Sequence, residues 1–116
     1  MKKYIQEATD KNVWDSLKNN TFNRAKDIQG FIEGLELIEG NAYISLDAKW
    51  GDGKTFFVKQ IGETLKYFRA KMMETEERPL KNLESYEYLK ESEAVKLTSV
   101  EHLYLPVYYN AWMYDD

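Results

Sequence analysis

Eight consecutive residues limit this chain more than any other feature: Ala48-Lys49-Trp50-Gly51-Asp52-Gly53-Lys54-Thr55. A short β-prone run, Tyr43-Ile44-Ser45-Leu46, precedes them and is itself set off by Gly40-Asn41. After them, Phe57, Ile61, Leu65 and Phe68 recur at 4-4-3 spacing, which predicts an amphipathic helix from about Lys54 to about Met72. Strand, glycine turn and helix in this order deliver main-chain N–H groups to a helix N-terminus, where aligned peptide dipoles leave roughly half a positive charge. Such a junction suits an anion, and Gly51 and Gly53, with no Cβ, let the anion approach the backbone closely.

The eight residues fit the phosphate-loop pattern G-x-x-x-x-G-K-[ST] everywhere except the first position, where Ala48 replaces glycine. The amides from Gly51 to Thr55 are expected to converge on a phosphate. Lys54 would place an ammonium on the β- and γ-phosphates and the Thr55 hydroxyl would bind Mg²⁺. The expected ligands are therefore a nucleoside triphosphate, ATP in preference, and Mg²⁺. Lys54 and Thr55 are the expected catalytic residues, and Trp50, Gly51, Asp52, Gly53, Lys54, Thr55 and Phe56 the expected nucleotide-binding set. Neither Lys54 nor Thr55 is a water-activating base. The Asp52 carboxylate would repel phosphate and is expected to point outward or to cap the helix. The competing interpretation, an ordinary strand-to-helix turn, is disfavoured by the strand before the motif and the helix after it.

Ahead of this unit, Val13-Trp14 and Leu17 give a weak helical face that ends at Asn19-Asn20. Thr21 is the expected N-cap of a second helix with Phe22, Ala25, Ile28, Phe31/Ile32, Leu35 and Ile38 on its apolar stripe and Gly40 as its stop. Behind the unit, residues 74–96 are rich in Glu, Lys and Arg, with Pro79 as a breaker and a thin stripe of Leu80, Leu83, Tyr86/Tyr88 and Leu89; a solvated helical excursion is expected. Leu103 to Tyr109 is nearly continuous in apolar character, as in a strand covered on both faces, with Pro106 placing it at an edge or near the strand's start. The expected fold class is α/β: a βαβ unit with parallel strands, a right-handed crossover and a preceding helix, forming part of a P-loop NTPase fold. Residues 1–20 read as a polar helical segment, and 21–116 as the N-terminal part of the domain.

At 116 residues the chain has room for one domain, and 43% hydrophobic content with 15% aromatics supports a buried core. Cysteine is absent, which excludes disulfides and thiolate metal sites. Met1-Lys2-Lys3 is followed by no apolar stretch of the kind a secretory leader needs, and no segment reaches the ~20 apolar residues of a membrane span. A cytoplasmic protein is expected. A net charge of −4 without a basic block argues against nucleic acid as a partner.

Trp50-Gly51-Asp52-Gly53-Lys54-Thr55, followed by Phe56-Phe57-Val58-Lys59, resembles the W-G-[ST]-G-K-T stretch of the KAP family of P-loop NTPases, with Asp52 where that family has Ser or Thr. Val107-Tyr108-Tyr109-Asn110-Ala111-Trp112, with Asp115-Asp116 after it, looks like the family's strand ending in F/Y-N-[AP]-W plus acidic residues. The resemblance covers about residues 21–116. It implies ATP rather than GTP, a setting linked in bacterial relatives to phage defence, and a Walker B strand that should follow position 116. A truncated chain is therefore expected, as is homo-oligomerisation or pairing with the remainder of the domain. The alternative to an NTPase switch is a non-catalytic nucleotide-binding or oligomerisation module, and the third choice is a scaffold without ligand.

Four further features are weighed against plainer roles. His102, the single histidine, is expected to face solvent or to pack. Arg24 begins the helix before the first strand, within reach of a nucleotide, but surface charge is the plainer role. Trp112 is expected to pack, while Trp50 is left open between packing and adenine. Glu74-Thr75-Glu76-Glu77-Arg78 reads as a solvated helix end, with partner docking favoured only where Tyr86, Tyr88 and Leu89 form one exposed patch.

Overall fold

The computed structural model describes residues 9–37, 43–47 and 52–109, with 43–47, 52–54, 105 and 107–109 described by their backbone. In chain order the elements are α1 (Asp10–Asn19), α2 (Ala25–Glu36), β1 (Tyr43–Asp47), α3 (Asp52–Met72), a 3-10 turn (Leu80–Asn82), α4 (Tyr86–Leu89), α5 (Glu93–Leu97) and β2 (Leu105–Tyr109).

The α1 helix starts where the Thr9 side chain accepts the Asn12 N–H at 3.2 Å. It ends at Asn20, whose φ of 51° lies in the left-handed region that asparagine tolerates. The Asn20 amide side chain then accepts the Ala25 N–H at 3.2 Å, so one residue closes α1 and opens α2. The expected cap at Thr21 is accordingly displaced: residues 21–24 form the turn, and α2 begins at Ala25. Its stripe holds in part: Ala25, Ile28 and Ile32 are buried with Leu35 packed against them, whereas Phe22 falls in the turn before α2 and is exposed, as is Phe31. Ile38, Gly40 and Asn41 lie outside the described residues.

The α3 helix is the axis of the molecule and packs against α1, α2, α4 and both strands. Its expected stripe is buried at Ile61, Leu65 and Phe68 and half-buried at Phe57. Around those positions Gln60, Glu63 and Thr64 are buried too. Most of these polar groups are engaged: Gln60 Nε2 donates to Ser16 Oγ at 3.0 Å, Thr64 Oγ1 donates to the Gln60 main-chain carbonyl at 2.8 Å, and Glu63 accepts the Trp14 indole N–H at 2.7 Å and Lys66 at 3.1 Å, while Gln60 Oε1 is buried without a hydrogen-bond donor among the described residues. Buried polar groups require such partners. The result is a partly polar seam that docks α1 on α3.

The expected α/β class is corrected. Among the described residues helix predominates, and every buried core side chain except Tyr104 comes from a helix: Val13 and Leu17 of α1, the α2 stripe, Phe56, Ile61, Leu65 and Tyr67 of α3, Leu89 of α4 and Ala94 of α5. The extended component is two five-residue segments that run parallel, Tyr43 opposite Leu105 through Asp47 opposite Tyr109. Two short strands offer too small a face to carry a core, so helix-on-helix burial takes over that role. Residues 74–96 are also corrected in part. Glu74 to Arg78 are exposed as expected, but the short helices beyond them dock, with Leu89 fully buried, the Tyr88 ring 5.7 Å from Trp14 and the Tyr86 ring stacked 6.5 Å from Tyr67. Tyr86, Tyr88 and Leu89 therefore form no common exposed patch.

Candidate nucleotide site

The phosphate-loop sequence, Ala48 to Thr55, follows β1, which ends at Asp47, and runs into α3, which starts at Asp52. Ala48, Lys49, Trp50 and Gly51 lie outside the described residues, as do Asn110-Ala111-Trp112 and Asp115-Asp116. Asp52, Gly53 and Lys54 form the first turn of a 21-residue helix. Amides in that position have no intrahelical acceptor, and they sit at the positive end of a long dipole. Thr55 follows on the same turn and is half-buried.

Phe56 divides differently from the expectation that it contacts nucleotide. Its ring is 4% exposed and meets the Phe22 ring edge-on, 5.4 Å between centroids at 83°. Only the Phe56 main chain is left to face a ligand. Next to it the Arg24 guanidinium lies over the Phe57 ring, 4.9 Å from its centroid. The turn between α1 and α2 thus rests on the start of α3 through two contacts, Phe22 on Phe56 and Arg24 on Phe57. Sequence spacing had marked Arg24 as near a nucleotide or on the surface, but it held no sign of the ring beneath it.

At the opposite ends of the strands, Glu36 in the last turn of α2 gathers three donors: the Glu101 N–H at 2.7 Å, the Tyr104 hydroxyl at 2.7 Å and His102 Nδ1 at 3.1 Å. Burial pushes the Glu36 carboxyl up, but these donors outweigh it and hold the group below its ordinary value. The same contact, together with burial, pushes the Tyr104 phenol well above the usual tyrosine range. His102 is solvent-facing, as expected, and also belongs to this clamp. The clamp ties the end of α2 to the approach to β2, and no periodic signal in the sequence could have located it.

Among the described residues, no cluster of three His, Asp or Glu side chains is placed to hold a metal ion, and no helix is long and apolar enough to cross a membrane.

With the junction of β1 and α3 in view, the sequence matches the description "KAP family P-loop domain" over residues 10–116. The chain belongs to the KAP family of P-loop NTPase domains. The match takes in α1 as well as the phosphate loop and the segment after β2. Comparisons with curated proteins and with solved structures give no match. As a KAP P-loop domain, the chain carries nucleotide binding as a property of its family.

Proposed function

We propose that this KAP P-loop domain binds ATP with Mg²⁺ at Ala48–Thr55. One conjunction supports the reading: the Gly53-Lys54-Thr55 triplet of a KAP P-loop match lies at the start of α3, the helix that follows β1, where the positive end of the helix dipole favours phosphate. Lys54 neutralises the β- and γ-phosphates, Thr55 holds Mg²⁺ through its hydroxyl, and the amides from Trp50 to Phe56 cradle the phosphate oxygens. When bound, Mg²⁺ would supply positive charge that offsets the charge of the phosphates. By resemblance to bacterial KAP proteins, the setting is cytoplasmic and linked to phage defence.

The test is a thermal melt with ATP·Mg²⁺, ATP with chelator, GTP·Mg²⁺ and no ligand, on the wild type and on Lys54→Ala. Stabilisation by ATP·Mg²⁺ that is lost in Lys54→Ala supports the proposal; equal melting under all conditions refutes it. Phosphate release measured alongside separates an NTPase from a module that holds nucleotide without turning it over.

A further inference from the structure

The far end of α3 carries a feature that nucleotide binding does not use. A groove of about 370 Å³ runs between the last turns of α3 and the turn that follows, floored by Met73, Leu80 and Leu83 and rimmed by Arg69, Arg78 and Glu77. Met73 and its neighbour Met72 are each 40% exposed. Methionine and arginine are the residues that protein interfaces concentrate, methionine because its unbranched thioether adapts to many shapes.

The turn that shapes the groove is tightly bonded. Thr75 and Arg78 exchange main-chain hydrogen bonds at 3.2 and 3.1 Å, the Arg78 N–H also reaches the Thr75 hydroxyl at 3.0 Å, and Glu74 accepts the Leu80 N–H at 2.9 Å. That last bond ties the Glu74 carboxylate to the start of the 3-10 turn. Among the described residues neither the Arg69 nor the Arg78 guanidinium has an ion pair or hydrogen bond, whereas Lys59, Lys66 and Lys90 all have carboxylate partners. In a chain of net charge −4, the rim of this groove carries two guanidiniums without a carboxylate partner against the single carboxylate of Glu77, beside an apolar floor.

We propose that this groove docks a segment of another protein that presents carboxylates beside large apolar side chains. The guanidiniums take the carboxylates in bidentate fashion, and Met73, Leu80 and Leu83 take the apolar side chain. A polyanion such as nucleic acid fits less well, because Glu77 shares the rim and there is no continuous basic track.

The probe is a fluorescein-labelled amphipathic peptide with Glu and Leu at helical spacing, titrated into the full chain by anisotropy and mapped by amide chemical shifts. Its controls carry Lys for Glu or Ser for Leu. The expected result is saturable binding with shifts confined to about residues 69–83, weakened at least tenfold in both controls and in Arg69→Glu/Arg78→Glu. Those two side chains are not part of the core, and circular dichroism of the double variant checks that it folds. Absence of saturation, equal binding of the Lys peptide, or tighter binding of a single-stranded oligonucleotide at the same residues would overturn the proposal. So would concentration-dependent self-association of the chain that Arg78→Glu abolishes, since a second copy would then be the occupant.

Discussion

The Tyr104 hydroxyl donates to Glu36 Oε2 at 2.7 Å, joining the end of α2 to the residue that precedes β2. Tyr104 is 2% exposed, so the bond is shielded from water on the tyrosine side. Tyr104→Phe removes the donor while keeping the ring, and it is expected to cost about 1–2 kcal/mol in urea unfolding. An unchanged midpoint would show that the clamp carries no net stability.

The sign of the pH dependence follows from the same carboxyl. Glu36 is held below its ordinary value of 4.5 in the folded chain, so its contribution is fully present above that value and is lost as pH falls through the lower folded value. The wild type should therefore exceed Glu36→Gln in stability at about pH 5, where the His102 contact adds to the margin, and the margin should narrow as pH falls further through the lower folded value. A margin that keeps widening below about pH 4 would contradict the clamp.

Leu89 tests whether the polar stretch after α3 is part of the fold. It is fully buried among helices, so Leu89→Ala is expected to destabilise by ~2–5 kcal/mol, while Glu76→Lys on the exposed turn should stay within ~0.5 kcal/mol. Equal effects would place the stretch outside the cooperative unit.

Phe56 and Thr55 are adjacent but should fail differently. Phe56→Ala opens a cavity beneath Phe22 and is expected to cost ~3–5 kcal/mol, seen as a lower melting temperature with or without nucleotide. Thr55→Ala should melt within a few degrees of wild type yet lose the Mg²⁺-dependent part of ATP stabilisation. Retention of full Mg²⁺ dependence would remove Thr55 from the site.

Trp14 reads out the seam between α1 and α3. Its indole N–H meets a buried Glu63 carboxylate, so Trp14→Phe leaves that oxygen with one donor fewer and should cost ~1–3 kcal/mol. Chemical denaturation followed by circular dichroism measures it.

These positions also show which parts of the molecule the sequence made legible. The α3 span was readable because Phe57, Ile61, Leu65 and Phe68 repeat with helical period, and the phosphate motif was readable because its chemistry requires adjacent residues. That Phe56 rather than Phe57 turns inward was not: the two lie about 100° apart around a helix axis, and only the Phe22 ring decides between them. The fold class misled because β-prone runs announce themselves locally. Val13, Leu17, Leu89 and Ala94, which complete the helical core, belong to short stripes with few apolar positions in otherwise polar stretches. Glu63, Gln60 and Ser16 read as surface by type, yet they lie inside because each finds its partner on a helix more than forty residues away in sequence.

An unbroken helix of 21 residues is a rod of roughly 30 Å. The triplet Gly53-Lys54-Thr55 occupies one tip, and Arg69 with Met73 stands at the other. A guest seated on the arginine side would therefore leave the mouth of the phosphate loop open, and the two ligands could be carried at once without colliding.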